Sequence, residues 1–295
     1  MKKILFTIFF IIAPTMASER DISAPFTEYV IDSGQIKSID FTNQGNLLLL
    51  IETNDEYLLK THNFKINEIK KINTINKTEG NYNFTGMCIV DKNLYILNVN
   101  EQTKNKVYEI YKFSSEGLKK LASFDGHFYG MHCSKTSLFY TKKVEMKLLV
   151  FMFDNEHSTQ IYNEHCELVG VASKEEIYCF YAGDENPWGI EQVDTISGDR
   201  EYIVDIDSYG ATGDAVSTVF PDAKVYVDLI SIIKDGREVG VKLLVADIKK
   251  GKVIFETPIT EKNRIYTKFS YFKDDNLLVF TKKNKYFSID LSNKK

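Results

Sequence analysis

Residues 84–97, FTGMCIVDKNLYIL, decide the fold, because the same pattern returns twice further along the chain. They align with FYGMHCSKTSLFYT at residues 128–141 and with LVGVASKEEIYCFY at residues 168–181. Each copy has a glycine followed by Met or Val, then a polar turn, then a run rich in aromatic residues. The three glycines lie 44 and 40 residues apart. This nearly constant period indicates that one supersecondary unit is repeated.

Looser copies extend the repeat in both directions, starting at Ile36, Val216 and Thr267. The chain consists of short runs of Val, Ile, Leu, Tyr and Phe between polar turns, and such runs are typical of strands. A period of about 40 to 50 residues with about four strands per repeat is typical of a propeller blade. The chain therefore resembles the six-bladed β-propellers from residue 18 onward, which implies an all-β fold of four-stranded antiparallel blades.

The last repeat is one strand short, because the chain ends soon after KYFSIDL at residues 285–291. The segment FTEYVIDS at residues 26–33 precedes the first repeat and has no place in it. An unpaired sheet edge exposes backbone groups and promotes aggregation. We therefore expect residues 26–33 to supply the missing outer strand and to close the ring.

The resemblance is one of architecture alone, because the chain shows no tryptophan-docking repeat, Asp box or kelch glycine pair. A large β-sandwich is the main alternative fold. A ring of five or seven blades is a second alternative, since the repeats at both ends of the chain are loose.

The N-terminal 17 residues have the layout of a secretory signal peptide. Lys2 and Lys3 precede the apolar run ILFTIFFII, and the small residue Ala17 follows it. This run is shorter than the roughly 20 residues that span a bilayer, so an uncleaved anchor is the less favoured alternative. We predict cleavage after Ala17 and a single propeller domain over residues 18–295, periplasmic or secreted and without membrane insertion.

The charge of the chain argues against binding to nucleic acid. The net charge of −4 becomes −6 when Lys2 and Lys3 are removed with the signal peptide, and nucleic-acid binders carry a basic patch instead. The chain also lacks the G-x-S-x-G, H-E-x-x-H, phosphate-loop and dinucleotide motifs. We therefore predict no catalytic residue and no cofactor.

The histidines do not form an obvious metal or nucleophile site. His127 and His132 are five residues apart, and an odd spacing in a strand places side chains on opposite faces. His165 and Cys166 are adjacent, so their side chains diverge and do not form a nucleophile and base pair. The sequence therefore predicts neither a metal site nor a catalytic thiol.

A calcium-dependent hydrolase remains the alternative function. Six-bladed lactonase-like hydrolases hold calcium in the central channel through acidic and amide side chains, and a resemblance to them would imply a site there. Asp40, Glu167 and Asp214 fall in or near the innermost strands. However, calcium takes six to eight oxygen ligands, and the neighbouring strands offer Cys88, His132 and Cys133 instead. Metal binding is thus the alternative and not the leading interpretation.

Four cysteines allow three disulfide pairings in an exported protein. Cys88 and Cys133 occupy nearly matching positions in neighbouring blades. Cys166 and Cys179 lie in the first two strands of the fourth blade. We favour the pairing of Cys88 with Cys133 and of Cys166 with Cys179, with four buried thiols as the alternative.

The only tryptophan lies in a connection that we expect on the same side of the ring as three other irregular segments. Connections between strands two and three of a blade emerge on the same face as connections between blades, and we call this side the loop face. GDENPW (183–188), DSYGATGD (207–214), TEGNYNF (78–84) and DGHFYG (125–130) all belong to it. The predicted partner-binding residues are Trp188, Tyr209, Tyr82, Phe128, Tyr129, His127, Asp184 and Glu185.

Aromatic side chains on such loops suggest a protein-binding face, because Trp and Tyr supply much of the energy of interfaces. The alternative is that Trp188 packs over its own blade. The sequence as a whole favours a non-catalytic exported binding protein with a protein partner. One specific version is a periplasmic immunity protein that neutralises a delivered toxin.

Overall fold

Six four-stranded antiparallel sheets form the ring of a six-bladed β-propeller in the described part of the chain. The structure is a computed structural model. It describes residues 26–80, 82–100, 106–126, 128–154, 157–181, 189–205, 217–234, 237–259 and 268–292. In blades 1 to 5 each strand pairs with the next along the chain, from the channel outward, as the repeat predicted. The predicted six-bladed propeller is therefore confirmed.

The first three blades are continuous in sequence. Blade 1 contains β2 (Gln35–Phe41), β3 (Leu47–Glu52), β4 (Glu56–Asn63) and β5 (Glu68–Asn76). Blade 2 contains β6 (Phe84–Val90), β7 (Asn93–Asn100), β8 (Val107–Ser114) and β9 (Gly117–Asp125). Blade 3 contains β10 (Phe128–Cys133), β11 (Leu138–Val144), β12 (Lys147–Asp154) and β13 (His157–Tyr162). A short 3₁₀ helix, Lys77–Glu79, joins blades 1 and 2.

The last three blades include the one that is built from both ends of the chain. Blade 4 contains β14 (Glu167–Val171), β15 (Glu176–Tyr181), β16 (Gly189–Asp194) and β17 (Arg200–Asp205). Blade 5 contains β18 (Thr218–Phe220), β19 (Val225–Lys234), β20 (Arg237–Asp247) and β21 (Lys252–Ile259), with a 3₁₀ helix at Pro221–Ala223. Blade 6 contains β22 (Phe269–Phe272), β23 (Leu277–Lys282), β24 (Lys285–Asp290) and β1 (Thr27–Val30).

The N-terminal strand closes the ring, as the sequence predicted. β1 pairs antiparallel with β24, so that Thr27 lies opposite Ser288 and Val30 opposite Lys285. The Ile31 amide continues the contact by donating a hydrogen bond of 2.9 Å to the Asn284 carbonyl. Closure thus covers the outer edge of β24, which would otherwise be unpaired.

A shared irregularity accompanies the repeated glycine. The pairing of the innermost strand with the second strand shifts by one residue directly before Gly86, Gly130 and Gly170. Such a bulge redirects the side chains that follow it. A Cβ atom at Gly170 would lie 2.7 Å from Val219 of blade 5, so this glycine permits close approach of two blades. Gly86 and Gly130 have no contact that short.

The hydrophobic core lies between neighbouring blades. Leu50 of blade 1 packs with Ile96 of blade 2, and Val169 of blade 4 packs with Tyr226 of blade 5. The tyrosine hydroxyls in these layers have partners. That of Tyr57, for example, accepts a hydrogen bond of 3.1 Å from the Phe84 amide. Burial between blades is the main favourable term for such a ring, since each blade alone leaves both faces exposed.

Both disulfides that the sequence analysis favoured are present. Cys88 and Cys133 link the innermost strands β6 and β10. Cys166, directly before β14, is bonded to Cys179 of β15 within blade 4. The predicted signal peptide lies outside the described residues, and no helix in the described part of the chain has the length and apolar character needed to span a bilayer.

Candidate functional site

A cavity of about 560 Å³ lies in the central channel, and all six blades contribute to it. Sites for small molecules typically measure about 300–1,000 Å³. We call it the channel cavity. Its lining from the innermost strands includes Ser38, Thr85, Gly130, Glu167, Thr218 and Phe269. Several of these residues begin their strands, and these strands begin on the side of the connections between blades. The channel cavity therefore lies at the loop-face end of the channel.

The opposite end of the channel is held by paired polar groups. Lys135, in the first turn of blade 3, forms an ion pair of 2.9 Å with Asp222 of blade 5. The Asp91 amide of blade 2 donates a hydrogen bond of 2.9 Å to the Lys135 carbonyl. The Asp91 carbonyl accepts one of 2.9 Å from the Asn43 side chain of blade 1. These contacts bind the turns of four blades to one another.

Lys268 brings a positive charge into the channel cavity. It directly precedes β22, and its amide donates a hydrogen bond of 2.9 Å to the Thr281 hydroxyl. Its ammonium group forms no ion pair with any described residue. Protein surrounds the side chain on most sides while the cavity leaves it open to solvent. This partial desolvation, followed by the charge of Lys37, lowers the pKa of Lys268.

His132 faces the channel cavity from β10. Desolvation, followed by the charge of Lys268, lowers the pKa of its imidazole to about 4, against a hydrogen bond with the Leu168 backbone. The ring is therefore neutral at neutral pH. Its Nε2 atom lies 3.4 Å from the position that a Cβ atom on Gly130 would take. The missing side chain at Gly130 thus leaves room for the imidazole ring.

Thr141 presents a hydroxyl group with no partner. It lies opposite Gly130 in the β10–β11 pairing, and paired residues of an antiparallel sheet project from the same face. Because Gly130 has no side chain, Thr141 reaches the lining of the channel cavity. The residue is only 2% exposed, and its Oγ1 atom makes no hydrogen bond within the described residues. Leaving such a group unsatisfied typically costs about 1–3 kcal/mol.

Glu167, the first residue of β14, adds a carboxylate to the same cavity. It is half-buried, and its carboxylate makes no hydrogen bond or ion pair with a described residue. Burial raises its pKa, and the nearby His165 opposes this increase. The channel cavity thus contains a cation on blade 6 and a carboxylate on blade 4, neither of which is paired.

Asp40, considered from sequence as a calcium ligand, has structural partners. Its carboxylate accepts hydrogen bonds of 2.8 Å from the amides of Phe41 and Ile89 and one of 3.4 Å from the Ser270 hydroxyl. It therefore links the innermost strands of blades 1, 2 and 6. Desolvation raises its pKa to about 6 in spite of these bonds.

The described residues contain no group of three His, Cys, Asp or Glu that could hold a metal ion. Cys88 and Cys133 are joined in a disulfide. Asp214, the third acid considered for calcium, lies outside the described residues.

Most of the predicted partner-binding residues cannot be placed. Trp188, Tyr209, His127, Asp184 and Glu185 lie outside the described residues, and only the backbone of Tyr129 is described. Their role on the loop face stays a prediction.

The two described members of this set, Tyr82 and Phe128, pack within the ring. The Tyr82 ring stacks on Phe84 at 4.9 Å between centroids, and Phe128 stacks on Tyr108 at 5.0 Å. The sequence analysis placed Phe128 and Tyr129 in a loop, which is wrong. They begin β10, where Phe128 pairs with Lys142. Both aromatic side chains are half-buried and lie at the loop-face end of the propeller.

Lys268 and Thr141 were not predicted from the sequence, because both lie in repeat segments that indicate strands and neither belongs to a catalytic or binding motif. One signal could have located Thr141. Gly86 and Gly130 leave gaps in their innermost strands, and the residues opposite them, Leu97 and Thr141, line the channel cavity, whereas Tyr178 opposite Gly170 lies in the core. No comparable signal exists for Lys268, which lies outside every strand.

Solved structures share the fold, whereas comparisons with protein-family models and with curated proteins found no match. TolB from Acinetobacter baumannii superposes with a TM-score of 0.55 at 12% identity. The alignment covers 86% of this chain and 63% of that protein, so the chain spans less than two thirds of its length.

Two further structures give the same result. A putative TolB from Agrobacterium tumefaciens aligns over 86% of this chain and 89% of its own, with a TM-score of 0.50 and 14% identity. An acylaminoacyl peptidase from Pyrococcus horikoshii aligns over 87% of this chain and 44% of its own, with a TM-score of 0.52 and 10% identity. At these identities the likeness establishes the propeller fold alone.

Proposed function

We propose that the protein is a non-catalytic exported binding protein that recognises a protein partner through its loop face. The observation that supports this most directly is the asymmetry between the two ends of the ring. The channel cavity lies at the loop face, and the described strands on either side of residues 206–217 and 260–268, the longest sequence separations between described strands, end and begin there. The opposite end consists of tight turns such as 91–92 and 115–116. Surface loops on a rigid scaffold commonly carry binding residues.

The composition of the loop face fits this role. Trp188 and Tyr209 fall in connections that belong to this end by the order of the strands, as do Asp184 and Glu185. Tyr82 and Phe128, the two described members of the predicted set, stack on Phe84 and Tyr108 at the same end. Rigid support for exposed aromatic residues lowers the entropy that is lost on binding. In its most specific form, the proposal is a periplasmic immunity protein that neutralises a delivered toxin.

The proposal includes export, with cleavage after Ala17. Two disulfides suit an oxidising compartment such as the periplasm. N-terminal sequencing of protein from the periplasmic fraction should begin at Ser18. Recovery of an intact chain starting at Met1 in the membrane fraction would contradict this part of the proposal.

Trp188→Ala tests the loop face. The variant should weaken binding to the partner by about 2 kcal/mol or more, as for a hot-spot residue, while its melting temperature stays close to that of the parent. Ile196→Ala is a matched control, because Ile196 is 80% exposed in a turn at the opposite end. A partner isolated by pull-down from the cell envelope would serve as the ligand.

The same variant separates the proposal from a packing role. If Trp188 packs over its own blade, its removal should cost about 3–5 kcal/mol of stability, and the loop-face proposal would lose its main residue. A thermal scan with calcium and then EDTA tests the alternative of a calcium-dependent hydrolase, which predicts a melting temperature that rises with the metal.

A further inference from the structure

The channel cavity contains three polar groups that have no hydrogen-bond or ion-pair partner among the described residues. They are the Lys268 ammonium, the Glu167 carboxylate and the buried Thr141 hydroxyl. Elsewhere in the ring, buried charges have partners. Glu109, for example, accepts hydrogen bonds from Asn98 at 2.8 Å and from Lys120 at 3.1 Å. All three groups line the same cavity.

Such groups are unfavourable for folding and favourable for binding. A charge that the surrounding protein partly desolvates loses hydration that no described group replaces, and an unsatisfied hydroxyl adds a further penalty. A ligand with complementary charged and hydrogen-bonding groups would offset both of these unfavourable free energies. Binding sites commonly keep such locally destabilising groups because function requires them.

The positions of the two charges define the ligand. Lys268 and Glu167 belong to blades 6 and 4 and form no ion pair with each other. A ligand that satisfies both therefore needs a negative group and a positive group at separate positions. The lining of the cavity also includes the apolar side chains of Met87, Met131 and Leu168. These can accept an aliphatic or aromatic substituent.

We propose that the channel cavity binds a small zwitterion, an amino acid or a short peptide. Its carboxylate contacts the Lys268 ammonium and accepts a hydrogen bond from Thr141, and its ammonium group contacts Glu167. The neutral imidazole of His132 completes the wall beside Lys268. The cavity of about 560 Å³ has room for a ligand of this class. This site does not depend on whether a protein partner binds the loop face.

Isothermal titration of the chain from residue 18 onward tests the charge requirement. A thermal-shift panel of free L-amino acids and unblocked dipeptides at millimolar concentration first selects the best ligand. That ligand should bind saturably. Its N-acetylated form, which lacks the ammonium group, and its C-terminal amide, which lacks the carboxylate, should each bind about tenfold more weakly or worse. Equal affinity for a blocked form, or no binding by the whole panel, would overturn the proposal.

Variants connect the ligand to the named residues. Lys268→Met should weaken binding of the unblocked ligand by about tenfold or more. In Glu167→Gln, the unblocked and the N-acetylated ligand should bind with similar affinity. Thr141→Val should weaken binding by a smaller factor. Lys249→Met is the control, because Lys249 lies in an exposed turn at the opposite end. Unchanged binding by Lys268→Met would overturn the assignment.

Stability in the absence of ligand provides a second readout that separates binding from structure. Lys268→Met and Thr141→Val each remove a group that the fold leaves unsatisfied, so both variants should melt at the same temperature as the parent or higher. A lower melting temperature for Lys268→Met would mean that the ammonium group supports the fold, which contradicts its role as an uncommitted ligand contact.

Discussion

The junction of blades 2 and 3 and the closure of blade 6 hold the same ring by different means. Cys88 and Cys133 join two innermost strands covalently across a sequence separation of 45 residues. Blade 6 is closed by a strand of four residues, β1, and its Glu28–Lys285 ion pair joins positions 257 residues apart. The covalent link reduces the freedom of the unfolded chain. The closing strand instead depends entirely on contacts that exist only when the ring is complete.

Those contacts reach beyond blade 6. Tyr29 of β1 stacks on Tyr286 at 4.9 Å and meets His62 of blade 1 at 4.7 Å. Phe26 contacts Phe280 of blade 6 at 5.2 Å and Phe255 of blade 5 at 6.3 Å. The comparison shows that ring closure is a shared interface of three blades, whereas the disulfide acts at one junction.

Removal of the closing strand should have the largest effect. A chain that begins at residue 34 loses the β1–β24 pairing and Ile31, which is 4% exposed. Loss of a buried Ile side chain alone costs about 2–5 kcal/mol, so the deletion should exceed this and expose the edge of β24 to aggregation. Thermal unfolding and size-exclusion chromatography measure both effects.

A graded series sharpens this test. Ile31→Ala should fall between the parent and the deletion, and Val30→Ala should have little effect because Val30 is 54% exposed. If the deleted chain melts at the temperature of the chain that begins at residue 18, closure by β1 contributes nothing and the comparison fails.

Loss of the covalent junction should come next. The chain-entropy relation gives about 4 kcal/mol for a loop of the size closed by Cys88 and Cys133, and about 3 kcal/mol for the shorter loop of Cys166 and Cys179. We therefore expect Cys88→Ala/Cys133→Ala to lower the free energy of unfolding more than Cys166→Ala/Cys179→Ala. Urea unfolding of the two double variants provides the measurement, and the reverse order would show that loop size does not govern these links.

The smallest effect concerns how the stability of the protein depends on pH through Asp40 and His132. The pKa of Asp40, which ties blades 1, 2 and 6, rises from 3.8 to about 6 on folding, so its stabilising contribution is present below pH 3.8 and is lost as pH rises through about 6. The pKa of His132 on blade 3 falls from 6.5 to about 4, so its contribution is present above pH 6.5 and is lost as pH falls towards about 4.

Single variants should therefore change the pH slope of stability in opposite directions. Between about pH 4 and 6, Asp40→Asn should make the melting temperature rise more steeply with pH than in the parent. His132→Gln should make it rise less steeply. At about 1.4 kcal/mol per pKa unit, the full shifts set upper bounds of about 3 kcal/mol for Asp40 and about 3.5 kcal/mol for His132, and only part of each falls within this pH range. Slopes that change in the same direction would contradict the assigned pKa shifts.

The architecture could be predicted from sequence because it depends on local patterns. The spacing of Gly86, Gly130 and Gly170 marks the repeat, and short apolar runs between polar turns mark the strands. The orphan segment at residues 26–33 followed from counting strands, since a ring has no free edge. Phe128 was misplaced because the bulge before Gly130 lengthens the strand by residues that have the composition of a loop.

The candidate site could not be predicted in the same way. Lys268 and Glu167 are about a hundred residues apart in sequence, and only the ring brings them to one cavity. Asp40 shows the reverse case. As an isolated acid in an innermost strand it could serve calcium, but the structure gives it backbone amides of blades 1 and 2 as partners.

The sequence by itself determined the repeat, the order of the strands, the way the ring closes and the favoured pairing of the cysteines. These features depend on periodicity and on matching positions, which short-range patterns record. The tertiary structure alone decided which polar groups are paired and which are not. Whether Lys268, Glu167 and Thr141 have partners depends on side chains that other blades bring within hydrogen-bonding distance, and no local pattern encodes those distances.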